Sequence, residues 1–214
     1  MIRLDIFSDP VCPWCYVGKA NLDRALAEHP DHPFQILWHP FQLNPDMPRE
    51  GVSKRAYLEQ KFGGKARVDA VHDRLREVAR AAGVEMNPDK PSRIANTLDA
   101  HRLIHWAGIE GRQSPVMTAL MHAYWVDGRD IGDHETLADI AAAQGMDRNA
   151  VLRLLQSDAD ADDILARDQD ARHKGVNSVP TFLIAQQYVV TGAQPPEVWG
   201  KVIEELVAHK AKPN

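Results

Sequence analysis

The chain holds two cysteines, Cys12 and Cys15, and both fall in the stretch "FSDPVCPWCYVG" at residues 7–18. Two thiols with Pro13 and Trp14 between them fit three kinds of chemistry: a redox couple, half of a metal site, or a pair of small buried side chains. In the redox reading a thiolate attacks a disulfide sulfur, and the second thiol resolves the mixed disulfide or closes the ring. A sulfur at a helix N-terminus faces free backbone N–H groups and the positive end of the helix dipole, which favours thiolate over thiol. Cys12 precedes Pro13, a residue suited to the first helical position, so the sequence puts Cys12 at that place and Cys15 one turn further in. In the metal reading zinc takes four ligands, of which the pair supplies two. His101 and His105, on one helical face of "DAHRLIHWAG", would supply the others, at a separation far beyond compact finger spacing. As plain residues, both histidines belong to a helix or a cleft wall.

A second signal is "NSVPTFLI" at 177–184. Pro180 stands at the first position of a strand, a common place for a trans proline. A cis Val179–Pro180 bond beside the cysteine pair would instead present the Val179 backbone for substrate pairing.

These residues need a scaffold. "IRLDIF" (2–7) alternates apolar and polar residues as a short strand does. A helix follows from Pro13 until "PDHP" stops it. "FQILWHPF" (34–41) is a second strand, ended or placed at an edge by Pro40. Residues 53–174 read as successive helices. The first starts at Ser53 and the next ends at Gly83, a C′ glycine. "SRIANTLDAHRLIHWAG" (92–108) reads as one helix, and "SPVMTALMHAYWVDG" starts with Ser114 as N-cap and Pro115 in the first turn. Two short helices are capped by Asp133 and Asp147, and a last one ends at Gly175. "TFLIA" (181–185) and "YVVTG" (188–192) form a hairpin about Gln186 and Gln187, a weak turn pair. A closing helix carries two prolines at its start. The expected fold is α/β: one thioredoxin-like domain of order β-α-β … β-β-α, from residues 1–45 and 175–214, around an inserted helical domain at 46–174.

With 214 residues, 44% hydrophobic and 26% charged, the chain can bury enough surface to fold without disulfide staples. Its net charge of −5 lacks the basic stripe of a nucleic-acid footprint. No run of apolar residues is long enough to span a bilayer. "MIRLDIFSDP" does not read as a secretory leader, so a cytoplasmic protein is expected if the chain starts here, in which a disulfide is transient and catalytic; the alternative is a mature secreted form whose leader has been removed.

"SDPVCPWCYVG" and "GVNSVPTFLI", flanking a helical insertion that contains "ANTLDAHRLIHWA", resemble the DsbA-like thioredoxin-fold superfamily over essentially the whole chain. Within it the sequence looks most like the FrnE-type cytoplasmic oxidoreductases, relatives of 2-hydroxychromene-2-carboxylate isomerase and kappa-class glutathione transferase. The resemblance implies Cys12 as the exposed nucleophile, Cys15 as the buried resolving thiol and Pro180 as the cis-proline. It implies substrate contacts from the Val179 backbone, from Trp14, and from Asn96 and His101 on a helix roofing the cleft, with Thr97 beside them; the plain alternative for these three is helix surface. The expected function is thiol–disulfide exchange without a bound cofactor. Its partners would be thiol or disulfide substrates, with glutathione as a co-substrate the family allows and room for a homodimer, and no nucleic acid or membrane. The alternative is a glutathione-dependent isomerase or transferase acting on an aromatic small molecule. That branch has a serine-type site where this chain has Cys12. Many thioredoxin-fold enzymes carry a carboxylate six residues before the first cysteine; here that position is Ile6, with Asp9 as the nearest substitute or simply a turn residue.

Overall fold

The structure is a computed structural model that describes residues 1–210. The last four residues of the predicted thioredoxin-like stretch, 211–214, lie outside the described residues. Four strands form the main sheet: β1 (Ile2–Ser8), β2 (Phe34–Pro40), β5 (Thr181–Ile184) and β6 (Tyr188–Thr191), in the order β2-β1-β5-β6. β1 runs parallel to β2 and antiparallel to β5, which pairs antiparallel with β6. The period of two in "IRLDIFS" sends Leu4, Ile6 and Ser8 to one side, where all three are buried. Asp5, on the other side, is buried too and binds His39 Nε2 at 2.5 Å across the parallel pair.

Helix α1 (Pro13–Glu28) links β1 to β2, and α9 (Pro196–Lys210) packs against it. Trp199 of α9 stands edge-on to Phe182 of β5, with ring centroids 4.7 Å apart. The strand ends that carry the two sequence signals are thereby fixed side by side. Gly18 of α1 allows the closest approach. A Cβ there would lie 3.0 Å from Pro180 Cγ and 3.3 Å from Ala193 Cα, so a side chain would push the 179–180 segment outward.

Between the halves lie α2 (Lys54–Phe62), α3 (Lys65–Ala81), α4 (Leu98–Ile109), α5 (Gln113–His122), α6 (His134–Ala143), α7 (Arg148–Leu155) and α8 (Ala161–His173). Helices α4, α5 and α8 reach β2. The side chains of Asp133 and Asp147 cap α6 and α7 as the sequence suggests. The insertion is not purely helical, however. β3 (Val52–Ser53) pairs antiparallel with β4 (Arg93–Ile94), so the helix expected from residue 92 begins only at Leu98. Arg93 binds the Glu50 and Gly51 carbonyls, and Asn96 Oδ1 accepts the Leu98 N–H at 3.0 Å, which holds this stretch extended until α4 starts. Helix α5 starts at Gln113, one residue before the expected cap. The Ser114 hydroxyl accepts the Trp38 indole N–H at 2.8 Å instead of capping. After α5 comes a π-helical turn, Ala123–Asp127, stopped by Gly128 in the left-handed region. In the β5–β6 hairpin the left-handed residues are Ala185 and Gln186, where the sequence pointed to Gln186 and Gln187.

Arg102 of α4 ties the insertion together. Its fully buried guanidinium donates to the carbonyls of Leu154 and Ala159 at 2.7 Å and of Ser157 at 2.8 Å, and to Asp99 at 2.6 Å. The connection from α7 to α8 thus closes around one side chain. No helix among the described residues is long and apolar enough to cross a membrane.

Candidate active site

β1 ends at Ser8, and a three-residue turn leads to Cys12, the N-cap of α1. Its backbone is extended (φ −83°, ψ 117°), and its sulfur accepts the Cys15 N–H at 3.4 Å. The sulfur thus takes the place that an oxygen of Ser or Asp takes at other N-caps. The Cys12 N–H donates to the Asp9 carbonyl at 2.9 Å, which fixes the turn. On its other side the Cys12 thiol donates to the Val179 carbonyl, 3.6 Å away, and the Val179–Pro180 bond is cis. The structure therefore brings Cys12, Cys15, Val179 and Pro180 together although 167 residues separate Cys12 from Val179.

Cys12 is not the exposed sulfur that the resemblance implies: it is 2% exposed, against 1% for Cys15. The Val179 carbonyl lies against its sulfur, and Trp125 of the π-turn donates its indole N–H to the Pro10 carbonyl at 3.1 Å, pinning the turn from the insertion side. Trp14 takes the outer position and is 43% exposed. Burial raises the Cys15 pKa well above the ordinary thiol range, and the neighbouring Cys12 sulfur adds to this. The Ser8 hydroxyl and the Asp9 N–H act in the opposite direction. Ser8 Oγ is buried without a hydrogen-bond partner, beside the Cys15 thiol whose pKa it draws down.

Asp9 is more than a turn residue. Its carboxylate is fully buried and accepts N–H groups from Val11 (3.2 Å) and Leu43 (2.7 Å) and the Thr97 hydroxyl (3.3 Å). Desolvation raises its pKa to about 7. Ile6, at the position of the expected carboxylate, is core. The sequence marks Asp9 only as a candidate, because hydrogen bonds from residues 43 and 97 leave no periodic trace.

The other candidates support the site from behind. Asn96 lies before α4, not on it, and donates to the Met47 carbonyl at 2.6 Å. Thr97 is the residue of that pair that reaches the cysteine turn, through Asp9. His101 is buried against the Phe41 carbonyl and near the Asp168 carboxylate, so it does not form an open roof for substrate. Helix α4 packs on β2, which turns this face of it inward. Burial lowers the His101 pKa to about 4. His105 pairs with Arg167 at 3.1 Å, and among the described residues no group of three or more His, Cys, Asp or Glu is arranged to hold a metal ion.

Asp9 and His101 give opposed pH dependences. The folded protein keeps the Asp9 proton up to about pH 7, whereas the unfolded chain releases it near 3.8, so stability falls as pH rises through that interval. Folded His101 takes up a proton only near pH 4, whereas the unfolded chain does so near 6.5, so stability falls as pH drops through that interval. Each slope is about 1.4 kcal/mol per pH unit where only one state is protonated. They offset one another between about pH 4 and 6.5. Relative to the parent protein, Asp9→Asn therefore gains stability with rising pH in this window, and His101→Gln loses it. Urea unfolding at three pH values reads both slopes; parallel profiles for parent and variants would show that neither group is shifted.

Comparison with known proteins agrees with this fold. The model of a family described as DSBA-like thioredoxin domain matches residues 3–204. A probable DsbA oxidoreductase from Streptomyces coelicolor is 30% identical, with a TM-score of 0.86 over 100% of this chain and 93% of that one. A 2-hydroxychromene-2-carboxylate isomerase is 18% identical, with a TM-score of 0.74 over 98% of each chain. The cytosolic disulfide reductase DsbM from Pseudomonas aeruginosa, in a structure with GSH, is 19% identical, with a TM-score of 0.69 over 96% of this chain and 99% of that one. At these last two identities the likeness is one of fold.

Proposed function

Because the chain belongs to the DSBA-like thioredoxin domain family, a group of thiol–disulfide oxidoreductases and related isomerases by its structural neighbours, we propose that it is a thiol–disulfide oxidoreductase acting through Cys12 and Cys15. The observation that carries this reading is the Cys12 sulfur at the cap of α1, between the Cys15 N–H and the Val179 carbonyl. A thiolate formed there keeps the Cys15 N–H bond and the helix dipole, and gives up its donation to the Val179 carbonyl, which is then free to accept from a substrate. It attacks one sulfur of a disulfide, and the other sulfur leaves as thiolate. Cys15 then attacks the Cys12 sulfur, frees the second substrate thiol and closes the Cys12–Cys15 disulfide. The Val179 backbone and Trp14 hold the substrate beside Cys12, and Pro180 sets the Val179 carbonyl in place.

Glutathione serves as a thiol partner in the same proposal, supported by the GSH-bound DsbM structure, and so does a cytoplasmic setting, where the dithiol form would be regenerated by cellular thiols. Reduced protein mixed with glutathione disulfide should consume one equivalent, release two equivalents of glutathione and lose two masses of hydrogen, as read by mass spectrometry. Turnover of a glutathione-dependent isomerisation without any change in the thiol count would replace this reading with the isomerase one.

A further inference from the structure

A cavity of about 190 Å³ opens beside the cysteine turn, between α2, α3 and the π-turn. Val11 and Pro13, the two neighbours of Cys12, form part of its wall, and Leu58, Phe62, Leu75 and Trp125 supply much of the rest. Trp125 also holds the Pro10 carbonyl, so the cavity and the turn share a wall. One charged side chain in this lining is almost wholly buried: Lys54, 6% exposed. Its ammonium lies over the Trp125 ring (4.7 Å) and the Tyr124 ring (5.3 Å) and donates to the Pro88 carbonyl at 2.8 Å.

An ammonium has three donors, and one carbonyl uses one of them. Among the described residues no carboxylate comes within ion-pair distance of Lys54. The nearest acid that acts on it, Asp89, is already held by His72 and Arg76. Burial lowers the Lys54 pKa to about 8, and the two rings and the Pro88 carbonyl hold its ammonium, which still has donors free and no carboxylate of its own, so the cavity wall offers an anion from outside a partner. The burial of both cysteines points the same way, because a small molecule reaches a 2% exposed sulfur more readily than a folded protein does.

We propose that this cavity receives the aromatic part of a small disulfide whose carboxylate pairs with the Lys54 ammonium, which brings a substrate sulfur to Cys12. This deepens the disulfide-exchange reading and rests on it. Cys12 thiolate bonds to one sulfur of R–S–S–R and expels R–S⁻. Cys15 then displaces the second R–S⁻ and forms the Cys12–Cys15 bond. The substrate gains the two electrons the dithiol loses, and the two thiol protons end on the released thiols.

The test is stopped-flow reaction of the reduced protein with three probes: dithiobis(nitrobenzoate), aromatic and carboxylated; dithiodipyridine, aromatic and uncharged; and hydroxyethyl disulfide, which is neither. Each rate is normalised to that of free cysteine. Lys54→Met should lower the ratio of the first probe to the second about tenfold, the loss of one charge-assisted contact. Leu58→Trp, which fills the cavity and keeps the charge, should lower both aromatic probes relative to hydroxyethyl disulfide, and it carries the test if the lysine variant does not fold. Unchanged ratios in the folded variants, or equal losses on all three probes, would overturn the cavity assignment and leave disulfide exchange standing. A parent protein no faster than free cysteine on every probe would instead remove the exchange reading, and this proposal with it.

Discussion

Cys12→Ser brings disulfide exchange down to the uncatalysed background, whereas Cys15→Ser still forms the first bond and stops there. The two outcomes follow from the positions of the sulfurs. Cys12 is the cap residue and meets both the free N–H of the first turn and the Val179 carbonyl. Cys15 lies inside that turn, and burial holds its pKa far up, so it acts only after Cys12 has bonded to substrate. Serine is among the best N-cap residues, so Cys12→Ser keeps the helix start and removes only the nucleophile. Its unfolding midpoint should therefore stay close to that of the parent. Cys15→Ser should accumulate a mixed disulfide of defined mass with glutathione or with the last substrate offered. An isomerase that uses glutathione without covalent capture has no need of Cys15. Full turnover by Cys15→Ser with nothing trapped would thus refute the oxidoreductase assignment.

The largest loss of stability is expected at Arg102. In Arg102→Met the carbonyls of Ser157 and Ala159 lose their donor, Leu154 keeps only the Ser157 N–H and hydroxyl, and Asp99 keeps only His134, at 2.8 Å. Breaking a buried, hydrogen-bonded charge in this way costs about 3–5 kcal/mol. For a chain of this length each kcal/mol moves the melting midpoint by about 2–4 °C. Methionine fills most of the arginine stem's volume, so the loss is that of the polar contacts and not of packing. Thermal and urea unfolding measure it. A loss below about 1 kcal/mol would mean that water satisfies those carbonyls and that the α7–α8 connection stands without the arginine.

The thioredoxin-like frame was legible because each of its signals is local. Alternation marks β1 and proline at the first helical position marks α1; in the insertion, Asp133 and Asp147 mark α6 and α7 as soon as the caps are read. What escaped was set by contacts distant in sequence. The extended stretch before α4 reads as helix by composition, and only pairing with Val52–Ser53 keeps it extended. The π-turn has no signature that separates it from the end of α5. The same division runs through the site. The cysteine pair and Val179–Pro180 could be named from spacing and resemblance. The exposure expected for Cys12 and the roofing role expected for His101 depended on how the insertion sits, and the structure turns both residues inward. Asp9 was legible as a candidate, but its hold on Leu43 and Thr97 was not, since neither partner neighbours it in sequence. Lys54 looks like any other lysine at a helix start until the aromatic rings beneath it are seen.

The pairing of β1 with β5 has a consequence for synthesis on the ribosome. The β1-α1-β2 segment is complete at Pro40, yet the strand that flanks β1 on its other side begins at Thr181, 141 residues later. At about 5–20 residues per second, the nascent chain carries an open edge on β1 for about 7–28 s. Throughout that interval no Val179 carbonyl covers the Cys12 sulfur, and both thiols are open to any oxidant or neighbouring chain. The newborn protein is thus most vulnerable at two sulfurs that its finished form buries, and growth under oxidative stress should damage it chiefly before its last strands emerge.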